Sequence, residues 1–230
     1  MTGDQPLAAG GFSAWLAGME RALRGEGASD VPCGGCTACC TSSQFVHIEP
    51  DEEDTLAHIP AELLFPAPRL PRGHVLLGYD ENGRCPMLTD GGCSIYEHRP
   101  RTCRTYDCRV FPAAGVELDE DDKLAIARRA RRWRFDHPAE VDEIEHEAVR
   151  AAARFVREHR GLLPEDAVPA NGTQHAVLAV RLHRAFLGDD GTGGREVIEP
   201  ELQAIRAEMH TPDGPRGEVS QFLPSGNIGG

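Results

Sequence analysis

The sequence predicts a mainly α fold with a small β-hairpin region, and three observations carry that prediction. Apolar residues recur at helical spacing up to residue 23 and again beyond residue 119. Between them lie short segments punctuated by Pro, Gly and Asp that read mostly as brief strands and turns. All eight cysteines fall between residues 33 and 108, and the 122 residues that follow contain none. The chain therefore divides into an N-terminal helical lead-in (1–28), a cysteine-rich module (29–112), a helical C-terminal part (113–210) and a tail (211–230) expected to be disordered.

In the lead-in, Phe12, Trp15, Leu16, Met19 and Leu23 fall on one helical face; Ser13 helps the start and Gly25 marks the end. Trp15 reads as core packing. The run QFVHIEP reads as a short strand with Phe45, Val46 and Ile48 as its apolar members. Pro50 followed by DEEDTLAHI fits a helix start, with proline in the first turn and acids near the positive end of the dipole. Pro60, Pro66, Pro68 and Pro71 make the next stretch unfit for a helix or a central strand. HVLLGY (74–79) is strand-like, DENG supplies a turn, and RCPML is expected to return as the partner strand. TDGG is a further turn and CSIY a further extended piece. DEDD followed by KLAIARRARRWRF predicts a helix over 119–135. Asp136 and Pro138 open the next, with Val141, Ile144, Ala148, Ala152, Phe155 and Val156 along one face and a stop near Gly161. Residues 173–187 predict a third helix ended by Gly188; GDDGTGG reads as a linker and EPELQAIRAEM as a fourth, weaker helix.

Composition narrows the function classes. The 24 basic and 37 acidic residues leave a net charge of −13, which disfavours nucleic acid and anionic membranes as partners, since phosphate needs a basic face. No apolar run is long enough to span a membrane, and MTGDQPLAAGG lacks the basic start and apolar core of a secretory signal. A cytoplasmic protein is expected, and the bias of the basic residues towards Arg (Lys123 is the sole lysine) suggests GC-rich bacterial coding. In the cytosol, dense cysteines bind metal or do redox work more often than they form disulfides.

The cysteine pattern sharpens this. CGGCTACC places Cys33, Cys36 and Cys39 at the repeated C-x2-C spacing, where the chain folds back and two sulfurs face one centre. The two glycines of the first turn tolerate positive φ. Cys40 follows Cys39 at once, and neighbouring side chains diverge, so the two are expected to do different jobs. Cys85, Cys93, Cys103 and Cys108 supply four more thiols. One four-iron cluster, one two-iron cluster or one zinc needs four thiolates, and two centres use all eight. Together with the C-terminal helices, this describes a metal-organised module. The C-x2-C-x2-C run and Cys85-Pro86 lean towards an iron–sulfur cluster (4Fe–4S); tetrahedral S4 zinc fits the same donors. Arg99, Arg101, Arg104 and Arg109 are placed to offset thiolate charge, or equally to lie on the surface. His47 and His98 read as hydrogen-bonding or surface histidines rather than ligands.

The series CGGCTACC, CPML and GGCSIYEHRPRTCRTYDC, spanning about a third of the chain, resembles the YkgJ-type cysteine-cluster family of zinc- or iron-chelating CxxCxxCC proteins. The resemblance implies that Cys33, Cys36, Cys39, Cys40, Cys85, Cys93, Cys103 and Cys108 are metal ligands. It implies no single reaction. Three functions follow as expectations: an iron–sulfur or iron protein with a redox or accessory role, a structural-zinc module whose helices bind a protein partner, or a cluster-dependent, methyltransferase-like modification enzyme. No Gly-rich nucleotide loop follows a strand, and no serine-hydrolase or P-loop signature occurs. RRARRWR (128–134) reads as a solvated helix paired with local acids.

Overall fold

The computed structural model describes residues 5–29, 31, 35–68, 70–118 and 123–209. The tail expected to be disordered lies outside them. In chain order, β1 (Leu7–Gly11) leads directly into α1 (Phe12–Leu23). The cysteine-rich stretch holds β2 (Val46–Ile48), α2 (Glu53–Ala57), β3 (Leu64–Pro66), β4 (Val75–Leu77), β5 (Leu88–Thr89), β6 (Gly92–Cys93) and α3 (Arg101–Thr105). Then follow α4 (Val110–Ala114), α5 (Leu124–Ala130), β7 (Trp133–Asp136), α6 (Glu140–Glu158), α7 (Gly172–Leu182), β8 (Leu187–Asp189), β9 (Arg195–Val197) and α8 (Leu202–Met209). Helix dominates, yet the short strands form four small sheets among the described residues, so "mainly α" is only part of the description. No helix is long and apolar enough to cross a membrane.

Two apolar cores hold these elements. The larger buries α1, α4, α6 and α7 against one another, and alanines at 148, 152, 176 and 179 let α6 and α7 approach closely. The face predicted for α6 is buried at Ala148, Ala152 and Val156, but its start departs: Val141 is exposed, while Asp142 and His146 are buried. The reason is capping. The Asp142 carboxylate accepts the amide N–H of Ser13 at 2.9 Å and of Ala139 at 3.0 Å, so one side chain caps the starts of both α1 and α6. Those two amides, the Ser13 N–H foremost, hold its carboxyl below the usual range.

The predicted helix over 119–135 is cut short. Its acidic start, 119–122, lies outside the described residues; α5 ends at Ala130, and Trp133–Asp136 pairs with β1 as a parallel strand, Leu7 opposite Trp133. Aromatic packing explains the switch, because Phe135 meets Phe12 at 5.0 Å and Trp15 at 4.9 Å between ring centroids. GDDGTGG is likewise not a linker: it closes the β8–β9 hairpin. The third helix ends at Leu182 and tightens into a 3-10 turn over His183–Phe186.

The smaller core buries Val46, Ile48, Ile59, Leu77, Met87 and Ile95, with Cys85 and Cys93 packed against it. β4 lies between β2 and β3, both antiparallel to it, and Pro66 sits on the edge strand where its missing N–H costs nothing. RCPML does not return beside β4. The Cys85 N–H goes instead to the Cys40 carbonyl at 2.8 Å, and Leu88–Thr89 pairs with Gly92–Cys93. The DENG turn forms as expected, with Asp80 accepting from the N–H groups of Asn82 and Arg84. CSIY is extended only at Cys93, since Tyr96–His98 is a 3-10 turn.

Asp107 joins the lead-in to the cysteine segment. Its buried carboxylate accepts from Trp15 Nε1 at 2.9 Å, Ser29 Oγ at 2.9 Å and the Arg109 guanidinium at 2.8–3.0 Å; Arg109 in turn donates to the Ala9 carbonyl. Trp15 thus packs as expected and also anchors a buried charge. Removing one partner strands the other without solvent. Asp107→Ala is expected to cost about 3–5 kcal/mol of stability, read by urea denaturation.

His146 supplies a pH dependence. It stacks on Phe12 at 4.1 Å, and burial, then Arg150 and His137, push its pKa down from 6.5 to about 4. The unfolded chain therefore binds a proton that the native state refuses, and stability is full above pH 6.5 and declines as pH falls towards 4. In His146→Phe the melting temperature is expected to fall less between pH 7 and pH 5 than in the unaltered protein.

Candidate metal centres

The doubled cysteine sits in a 3-10 turn, Cys39–Thr41. With three residues per turn, successive side chains point about 120° apart, so Cys39 and Cys40 leave the backbone on different sides. Short polar side chains fix the turn: Ser42 Oγ donates to the Ala38 carbonyl at 2.7 Å and Thr41 Oγ1 to the Thr37 carbonyl at 3.0 Å. Ser43 follows in the left-handed region, φ 49°, with its N–H on the Gly83 carbonyl. The buried ammonium of Lys123, reaching back from the start of α5, donates to the carbonyls of Ser42 at 2.8 Å and Ser43 at 3.3 Å.

The two cysteines meet different surroundings. Cys39 packs against the large helical core, in which Cys108 is buried. Cys40 is tied by its carbonyl to Cys85, which packs with Cys93 against the small core. Cys36 is half-buried, and Cys33 lies outside the described residues. No disulfide joins the described cysteines to one another.

Electrostatics draws the same division. Burial pushes the Cys103 thiol well up, and the neighbouring Cys85, Cys40 and Cys93 push it further, against Arg99. Part of the Cys103 residue remains open to solvent, so the three neighbouring thiols are the firmer cause. Cys85 is raised by burial and by Cys93, while the amides of Met87 and Leu88 act on its sulfur in the opposite sense. That turn, Cys-Pro-Met-Leu, is the arrangement in which N–H groups support a thiolate. Cys39 and Cys108 act together on a different group, the Tyr106 hydroxyl, whose pKa burial raises first and these two thiols raise further. The Trp133 indole N–H donates to Cys108 Sγ at 3.2 Å.

This donor chemistry fits a thiolate-bound metal. Crowded thiols such as Cys85 and Cys103 hold their protons while bare, and a cation in their midst inverts that balance. N–H groups already aimed at Cys85 and Cys108 then meet sulfurs carrying negative charge.

Of the four arginines read as charge-balancing, three are engaged with carboxylates. Arg101 pairs with Glu49 at 2.6 Å and Asp51 at 2.9 Å, Arg104 approaches Glu52 at 3.8 Å, and Arg109 holds Asp107. Arg99 lies over the Tyr96 ring at 3.7 Å and lowers the Cys103 pKa. His47 and His98 are hydrogen-bonded as expected, to His74 at 3.0 Å and to Asp54 at 2.8 Å. Arg132 and Arg134 contact backbone carbonyls rather than nearby acids, and Arg129 lies 4.9 Å over the Trp133 ring. Sequence reading missed Trp133 and Lys123 as parts of the site. The solitary lysine among 24 basic residues was the available signal; nothing in the pattern marked Trp133, whose strand register alone aims it at Cys108.

Residues 32–129 match the model of the CxxCxxCC family, described as "Putative zinc- or iron-chelating domain". No curated protein and no solved structure matches the chain.

Lys123→Met leaves two carbonyls after the cysteine turn without their cation. It is expected to cost about 1.5–3 kcal/mol in urea denaturation and to speed alkylation of Cys39 and Cys40, read by mass spectrometry of the labelled peptides.

Proposed function

With residues 32–129 matching a zinc- or iron-chelating domain, we propose that the chain is a metal protein with two four-cysteine centres. One draws on Cys33, Cys36, Cys39 and Cys108, the other on Cys40, Cys85, Cys93 and Cys103. The observation that supports this division is the 3-10 turn, from which Cys39 packs against the core that buries Cys108, while Cys40 is bonded through its carbonyl to Cys85 and acts with Cys85 and Cys93 on Cys103.

The first set takes three thiols from a C-x2-C-x2-C run and a fourth from a remote segment, the pattern of four-iron cluster ligation. We read it as an iron–sulfur centre with a redox or accessory role; when bound, such a cluster supplies one-electron transfer. The second set suits iron or tetrahedral zinc, its four donors coming from three separate segments and the amides at Cys85 favouring thiolate. A cluster-dependent modification enzyme finds less support. The cleft of about 650 Å³ bordered by Glu20, Glu145, His183 and Arg195 has no cysteine in its lining.

Anaerobic purification followed by iron, zinc and sulfide analysis tests the division. Cys108→Ser is expected to lose the iron and labile sulfide of the first centre and keep the metal of the second, and Cys93→Ser the reverse. Complete loss of metal in both folded variants reduces the two centres to one. Zinc alone in the unaltered protein replaces the redox role with a structural one.

A further inference from the structure

Without any cysteine, α2 and the turn Tyr96–His98 bring a carboxylate and two imidazoles into one largely exposed patch. His98 Nδ1 stands 2.8 Å from an Asp54 carboxylate oxygen and His58 Nδ1 3.8 Å from the other. The two rings lie face to face, 3.5 Å between centroids and 7° between planes. One ligand atom from each of Asp54, His58 and His98 falls within 4.8 Å of the other two.

These spacings suit a cation. Nitrogen and oxygen ligands sit about 2.0–2.2 Å from a zinc ion, so two of them at a tetrahedral angle are roughly 3.4 Å apart. The His58 and His98 nitrogens face different oxygens of the Asp54 carboxylate, at 3.8 and 2.8 Å, and one ligand atom from each residue lies within 4.8 Å of the others, so rotation of the carboxylate and of the stacked rings brings one oxygen and both nitrogens onto one ion. The local chain explains the convergence. Asp54 and His58 are four residues apart on one helical face, and the His58 ring is fixed by a 2.8 Å bond from Nδ1 to the Asp54 carbonyl. The start of α2 is held in turn: Glu52 accepts the Arg101 amide, and Arg101 pairs with Glu49 and Asp51, so α2 is clamped to the segment that follows His98. The cation nearest in effect to Asp54, beyond the two histidines, is Arg104.

We propose that Asp54, His58 and His98 form a surface site for a first-row divalent cation, zinc or ferrous iron, held by one carboxylate oxygen and two imidazole nitrogens. Two histidines and one carboxylate leave the remaining positions to water, the arrangement of an open, exchangeable site rather than a sealed structural one. On binding, the Nδ1 proton of each ring moves to Nε2, and the bonds from His98 Nδ1 to the Asp54 carboxylate and from His58 Nδ1 to the Asp54 carbonyl give way to three metal bonds. The site uses none of the cysteines as ligands.

Equilibrium dialysis of the full-length protein against Zn²⁺, followed by metal analysis, tests this. The unaltered protein is expected to take up one equivalent more than His58→Gln or His98→Gln, and brief treatment with a chelator is expected to remove that equivalent while cysteine-bound metal stays. Asp54→Asn is expected to weaken the uptake at least tenfold. Equal uptake by the unaltered protein and the folded histidine variants overturns the proposal. A variant that also loses cysteine-bound metal has unfolded, and Asp54→Asn, at the exposed edge of the patch, then decides the question. Absence of metal from the cysteines counts against the two-centre reading alone, because the zinc measured here is the difference between proteins with identical cysteines.

Discussion

Two adjacent residues cannot point their side chains at one spot in a tight turn, and much of this structure follows from that. Cys39 and Cys40 occupy a 3-10 turn and diverge. The chain has therefore built an apolar neighbourhood on each side. Helices gather around Cys39 and Cys108, and small sheets gather around Cys85 and Cys93, within reach of Cys40. The doubled cysteine is thus the seam between two cores.

A seam of this kind needs holding, and the polar groups around it do so. Lys123 bonds the carbonyls after the turn from one side, the Cys85 amide bonds the Cys40 carbonyl from the other, and Asp107 ties the segment before Cys108 to α1. The single lysine of an arginine-rich chain stands where a compact ammonium with rotatable donors reaches two successive carbonyls; the planar guanidinium fork matches carboxylates better. Accordingly Arg101 and Arg109 are found on carboxylates.

The local parts of the fold were legible where one interaction dominates. Helical periodicity found α1 and α8, and proline placement restricted residues 60–71 to an edge strand and turns. The reading failed where a distant partner overrides the pattern. Trp133 and Phe135 continue a helical sequence but pair with β1, because aromatic partners on α1 reward the strand. Val141 gave way to Asp142 because a carboxylate that caps two helices gains more inside than a valine does. RCPML was sent to β4 by its nearness in sequence, yet Val46–Ile48 holds that edge and frees Cys85 to meet Cys40. For the candidate site, spacing named the cysteines and even posed the Cys39/Cys40 problem. The division among them was not legible, since it depends on which core each segment joins.

The two cores are unequal, and that bears on what metal does here. The helical core buries thirty residues among those described, the sheet core six. The eight buried apolar side chains described between residues 40 and 103, at most roughly 1.5–3 kcal/mol each, do not offset the ordering of that stretch. Small domains in this position draw on disulfides or metals. Among the described residues no disulfide joins these cysteines, and metal is the remaining staple. On the proposed division, the centre made by Cys40, Cys85, Cys93 and Cys103 staples the small core, whereas the centre that includes Cys39 and Cys108 rests on helices that already pack. Metal at the second set is then chiefly a folding ligand, since binding and folding are one equilibrium when the site is absent from the unfolded chain. Metal at the first set meets, at Cys39 and Cys108, helices that already bury a large apolar core, so on the proposed division its loss is expected to loosen the fold less.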